Sequence, residues 1–205
     1  MIPYASRTGT RSTLSELHQR GWRLLVSATG VHRNEGFEYA IDNGAWSAHT
    51  QGEPWNRGAF ERLLISHGDG ADFVVTPDVV MDAKATLRKA EEWLPLLAGI
   101  GGCRLVAVQN GMSPDCVRAW LGPDVGIFIG GDTEWKEATA RTWGQLARER
   151  NCWVHAGRVN TCRRIAIMRD AGVHSFDGTS AVRFPSTIPM LDREARQGHL
   201  FGGLS

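Results

Sequence analysis

The feature that most constrains this chain is a regular alternation. Short apolar runs, bounded by Gly, Pro, Asn or Asp, are separated by longer amphipathic stretches. Runs rich in Val, Ile, Leu and aromatic residues predict strands at 23–29, 37–42, 72–77, 104–109, 126–129, 152–156 and 173–177. Helical periodicity falls between them, at 12–20, 57–67, 82–97, 113–121, 134–150, 161–170 and 186–196. Local signals agree. Asp82 stands where an N-cap belongs, Ser113-Pro114 opens a helix, and 134–150 carries acids early and arginines late, which complements the helix dipole. Such alternation demands a parallel sheet covered by helices. An open doubly wound sheet and a closed barrel both satisfy it. No G-x-G-x-x-G follows the first strand, so the dinucleotide site of an open sheet has no support. The expectation is an α/β fold, a compact (β/α)8 TIM-type barrel with one short or irregular unit, in which 179–184 supplies the eighth strand. At 205 residues the chain lies at the small end for that architecture, read as one domain over 1–205.

Composition narrows the function classes. A net charge of +1 gives no global basic field to announce a nucleic acid. Lysine occurs only at Lys84, Lys89 and Lys136; the other basic residues are arginines, suited to bidentate phosphate contacts. Arg158, Arg163, Arg164 and Arg183 belong to a group of arginines in the second half. Cys103, Cys116, Cys152 and Cys162 form no C-x-x-C pair, and the sequence has no H-x-H or H-E-x-x-H cluster. Free thiols, no metal and no cofactor are therefore expected. No apolar run reaches bilayer length, and residues 1–11 lack the apolar core of a signal peptide, so a cytoplasmic protein without a membrane partner is expected.

Polar residues recur where the predicted strands end: Asp42-Asn43-Gly44-Ala45-Trp46, Thr76-Pro77-Asp78, Gln109-Asn110-Gly111, Gly130-Gly131-Asp132, His155-Ala156-Gly157-Arg158 and Phe176-Asp177-Gly178-Thr179. Asp and Gly after a strand often mark a turn and nothing more. Glutamine has no such turn role, and a barrel brings all these ends to one mouth. Carboxylates there can accept from the amino and ring N–H groups of a purine-like base. The Gln109 amide and the backbone N–H groups of Gly130 and Gly131 can donate to its carbonyl. Two carboxylates suit glycosidic chemistry, one attacking the anomeric carbon and one moving a proton.

In order and spacing these motifs resemble the tRNA-guanine transglycosylase superfamily, over roughly Tyr39 to Arg183. Its Asp-Ser-Gly-Gly-Phe motif looks like the segment from Asp42 to Trp46, its base-recognition Asp like Asp78 and its Gln-Gly-Gly like Gln109-Asn110-Gly111. Its Gly-Gly-Leu is similar to Gly130-Gly131-Asp132, its Gly-Val-Gly region to Ala156-Gly157-Arg158, and its nucleophile motif Phe-Asp-Cys-Val to Phe176-Asp177-Gly178-Thr179. The C-x-C-x-x-C zinc site of the tRNA enzymes is missing, no accessory RNA-binding domain is expected after Arg183, and Asp132 replaces an apolar residue. A shortened, zinc-free relative looks most like the DNA-guanine transglycosylases of phage and bacterial 7-deazaguanine DNA modification.

The resemblance implies that guanine in DNA, flipped or single-stranded, is exchanged for a preQ0-like 7-deazaguanine base. Asp177 would be the nucleophile and Asp42 the proton-transfer group. Asp78, Gln109, Gly130, Gly131, Trp46 and Asp132 would hold the base; Arg158, Arg163, Arg164 and Arg183 would meet the nucleic acid. His155 and Arg158 would reach phosphate or sugar, or else be a satisfied structural histidine and a surface arginine. A tRNA-directed enzyme, an N-glycosidase using water and a non-catalytic nucleic-acid-binding subunit remain open alternatives, as do a homodimer and a partner subunit.

Overall fold

The computed structural model describes residues 1–6 and 9–198. Among them, eight parallel strands close a barrel in chain order, surrounded by helices, which is the (β/α)8 TIM-type architecture. The strands are β1 (Ile2–Ser6), β2 (Arg23–Ser27), β3 (Tyr39–Asp42), β4 (Ala71–Val75), β5 (Cys103–Val108), β6 (Val125–Ile129), β7 (Val154–Ala156) and β8 (Ser175–Gly178). The helices are α1 (Arg11–Gln19), α2 (Ala45–Gln51), α3 (Arg57–His67), α4 (Ala83–Leu96), α5 (Thr133–Glu149), α6 (Cys162–Asp170), α7 (Ser180–Arg183) and α8 (Ile188–Arg196). None of the described helices is long and apolar enough to cross a membrane.

Three local expectations are corrected. The eighth strand is β1, which pairs with β8 through Tyr4 and Asp177 and so closes the barrel. Residues 179–184 instead carry α7, because Asn160 Oδ1 accepts from the N–H groups of Thr179 (2.8 Å) and Ser180 (3.1 Å) and so caps a helix there. The predicted helix at 113–121 is two 3-10 turns, Pro114–Cys116 and Arg118–Trp120. Between Ser113-Pro114 and Gly122-Pro123 its N–H groups bond three residues back, Cys116 to Ser113 O (3.1 Å) and Trp120 to Val117 O (2.9 Å), which is the tighter 3-10 pattern. Together with the helix-free β2–β3 connection, this makes two irregular units where one was expected.

Period-two alternation sorts the strand residues into two cores. Val26, Ile41, Val74, Val106, Val108, Ile127, Val154 and Phe176 face the helices. Tyr4, Ala40, Phe73, Val75, Leu105 and Ala107 fill the barrel, where a fully buried Phe or Leu contributes about 2 kcal/mol. The inward series continues to the strand ends. It passes from Ala40 to Asp42, from Ala107 to Gln109 and from Ser175 to Asp177, so the pleat that fills the barrel also aims these side chains at the mouth.

Candidate active site

At that mouth lies a cavity of about 390 Å³ lined by Asp42, Asp78, Gln109, Gly130, Gly131, Trp46, Arg158, Arg164 and Asp177 among others, a volume within the usual range for small-molecule sites. Thus nine of the twelve base-binding, catalytic and arginine candidates meet one space; Asp132, Arg163 and Arg183 do not line it.

Asp42 closes β3. Its Oδ2 accepts from Ser27 Oγ and from the Gly44 N–H, each at 3.1 Å. Gly44 is left-handed (φ 79°), and a Cβ there would come within 3.2 Å of the Thr29 methyl, so glycine suits this turn into α2. Burial, then the charges of Asp177 and Asp78, push the Asp42 carboxyl up from 3.8 to about 7. The proton-holding form is therefore populated at neutral pH.

Asp78 is 9% exposed. Asn43 Nδ2 donates to one of its oxygens at 2.9 Å and Gln109 Nε2 to the other. Burial raises its pKa against these two bonds. Asn43 Nδ2 also donates to Thr76 O (2.7 Å), and Gln109 Oε1 accepts from the Gly131 N–H (2.9 Å), so one polar network joins the ends of β3 through β6. This corrects two base-contact expectations. The Gly131 N–H serves Gln109 and the Gly130 N–H serves Val108 O (2.9 Å), so neither is free to grip a carbonyl. These glycines still admit close approach: a Cβ on Gly130 would meet Gln109 Nε2 at 2.8 Å. Asp132 is likewise committed. It caps α5 by accepting from the Trp135 N–H (2.9 Å) and takes a bond from Asn110 Nδ2; these two bonds, in that order, hold its carboxyl below the ordinary range.

Asp177 presents Oδ1 to His155 Nε2 at 3.1 Å and to the Arg158 N–H at 3.2 Å. Arg158 has left-handed backbone (φ 58°), an unfavourable state for a non-glycine residue. That conformation turns its N–H to Asp177. Its guanidinium lies over the Trp46 ring, 3.6 Å from the centroid, and donates to Gly131 O. Trp46, 40% exposed, is thus partly covered by an arginine. Of the two readings of His155, contact with phosphate or sugar does not fit and the satisfied histidine does: the ring is fully buried and both its nitrogens are bonded.

Arg164 lines the cavity and bonds Glu137 (3.1 Å); Arg163 bonds the same carboxylate at 2.7 Å from an exposed position. Arg183 is exposed in α7, beyond the end of β8. Sequence reasoning missed Lys136. It extends from α5 to donate to Gly157 O, behind the turn that carries Arg158, and burial followed by the Arg158 charge pulls its amine down from 10.5 to about 7. A lysine inside an otherwise apolar helix face was the available signal, since lysine is seldom fully buried. Among the described residues no group of three or more His, Cys, Asp or Glu side chains could hold a metal ion.

Fold and site together define a (β/α)8 barrel whose mouth gathers three carboxyl groups around a small-molecule-sized cavity. No protein-family model matches the chain, and no curated protein matches it.

Proposed function

We propose that the chain is a base-exchange transglycosylase that replaces guanine in DNA with a 7-deazaguanine base. The observation that carries this reading is a pair of unlike carboxyl groups in one cavity. Asp42 titrates near neutrality, while Asp177 faces the same space with hydrogen-bond donors on one oxygen. A carboxyl group pushed up by burial, with a second carboxyl group lining the same cavity, is a sign of an acid–base site.

In the first step an oxygen of Asp177 bonds to C1′ as the C1′–N9 bond breaks, and Asp42 gives its proton to the departing guanine. In the second, Asp42 takes the N9 proton of the incoming base, whose N9 bonds to C1′ and releases Asp177. Two inversions give retention. Asp78, oriented by Asn43 and Gln109, accepts from the N–H edge of the base. Arg158 and Arg164, which line the cavity, would meet phosphate, while the target nucleotide leaves its stack at a cost of a few kcal/mol. The preference for DNA and for a preQ0-like base rests on the motif resemblance.

The test is nucleoside mass spectrometry after incubation with preQ0 and either guanine-containing DNA or tRNA. Incorporation into DNA is expected. Free guanine with abasic sites would show an N-glycosidase, incorporation into tRNA alone would move the substrate class, and unchanged nucleosides with both polymers would overturn the proposal.

A further inference from the structure

Beneath the cavity floor lies a hydrogen-bond chain that the two-carboxylate scheme does not use. Trp153 Nε1 donates to Ser175 Oγ at 2.9 Å, Ser175 Oγ bonds His155 Nδ1 at 2.8 Å, and His155 Nε2 bonds Asp177 Oδ1 at 3.1 Å. The donor inventory gives this chain a direction. Indole nitrogen only donates, so the serine oxygen accepts from it. Asp177 Oδ1 also takes the Arg158 N–H at 3.2 Å and so acts as an acceptor, which puts the His155 proton on Nε2. In a neutral ring Nδ1 is then bare, and the serine hydrogen goes to it.

The surroundings favour the neutral ring. His155 is fully buried, stacked on Phe128 (centroids 5.3 Å apart, planes at 15°) and flanked by Phe73 at 4.9 Å and Tyr4 at 5.5 Å. The Tyr4 hydroxyl turns away to Asp72. The charged groups that act on the ring are Asp177 from β8 and Lys136 from α5; burial outweighs Asp177 and keeps the imidazole below its ordinary pKa.

We infer that His155 is a positioning residue whose Nε2–H, with the Arg158 N–H, occupies Oδ1 of Asp177 and leaves Oδ2 as the oxygen that attacks C1′. Both donors converge on Oδ1, and among the described residues none bonds Oδ2. Two donors on one oxygen fix the carboxylate plane, so the free oxygen is presented to the cavity in one orientation. The bond that forms is Oδ2–C1′ and the bond that breaks is C1′–N9; His155 keeps its proton throughout. Ser175 and Trp153 act through His155 by holding its ring. The naming of Oδ2 as nucleophile rests on the transglycosylase reading, whereas the chain and its tautomer do not.

The experiment joins a spectroscopic and a kinetic measurement. Long-range 1H–15N spectra of the wild type at about pH 7.5 should show neutral His155 with its proton on Nε2. A misaligned reacting group costs about 100-fold in rate, so His155→Phe should lower the single-turnover rate by about that factor while KM stays within about threefold. His155→Gln, whose amide N–H can replace Nε2–H, should recover to within about fivefold of wild type. A proton on Nδ1, an imidazolium, or a Phe variant as fast as wild type would overturn the inference. So would a Gln variant no better than Phe, since a merely structural ring would not discriminate donors. The spectra need only wild-type protein, so an unfolded variant leaves them decisive. A wild type that exchanges no base but shows the Nε2–H tautomer retires the transglycosylase reading while supporting the hydrogen-bond chain.

Discussion

The two ends of the barrel treat aspartate differently. At the N-terminal end Asp72 accepts from Arg23 at 2.7 Å and from the Tyr4 hydroxyl at 2.8 Å, and Arg23 also pairs with Glu38 at 2.7 Å. At the C-terminal end Asp42, Asp78 and Asp177 are bonded by hydroxyl, amide, imidazole and backbone N–H groups, and none forms an ion pair with Arg or Lys among the described residues. Matched charge at one end holds strands together. At the other, burial and then the neighbouring carboxylates raise the pKa of Asp42, and acceptors are left facing a cavity at the end where barrels of this kind carry their sites.

Substitutions can break this contrast. The largest effect is expected from Asp177→Ala: base exchange in a labelled-guanine assay should fall at least ~1,000-fold, and the covalent DNA adduct should vanish from denaturing gels. Equal incorporation by variant and wild type would remove Asp177 from the chemistry. Asp42→Asn should lower the single-turnover rate about 100-fold while stabilising the fold. The sign follows from its raised pKa. Between 3.8 and about 7 the unfolded chain sheds a proton that the native carboxyl keeps, so this group's effect on stability becomes less favourable as pH rises through that window. The variant should therefore gain ~1–3 kcal/mol over wild type by urea titration at pH 8 and lose that advantage near pH 4. An opposite pH trend would show that Asp42 is not held protonated.

Asp72→Asn, at the other end, should cost ~2 kcal/mol of stability and leave exchange kinetics within about twofold. A large kinetic effect would mean that the two ends are coupled. Lys136→Met retains the stem's apolar packing but frees Gly157 O. It should lower kcat about tenfold with little or no loss in Tm, because the buried ammonium is itself unfavourable. The smallest effect belongs to Arg163→Ala, which breaks an exposed pair with Glu137 and should shift DNA affinity by under ~0.5 kcal/mol, measured against salt by anisotropy.

Much of this arrangement is legible in the sequence because it is local. Strand ends, the Asp82 cap and helix α3 follow from composition and periodicity over a few residues. The closing strand β1 was hidden by its length and by Pro3, which weakens a strand signal. Helix α7 was hidden by its cap, since Asn160 lies 19 residues from Thr179 in the chain. The same limit applies in the site. The residue types at the mouth are readable, but the commitment of Asp132 to α5, of the Gly131 N–H to Gln109 and of His155 to Asp177 depends on contacts between different strands. Lys136 shows the limit most plainly: helical periodicity places it on the inner face of α5, yet its partner is a carbonyl 21 residues away.

One residue joins the cavity rim to the Asp177 carboxyl group. The backbone of Arg158 tethers Asp177, while its side chain roofs the cavity on the indole of Trp46. Cover for the indole and a donor for the carboxylate are therefore carried by the same residue. A shorter side chain in place of Arg158 would uncover the indole while the backbone donor to Asp177 stays in the chain.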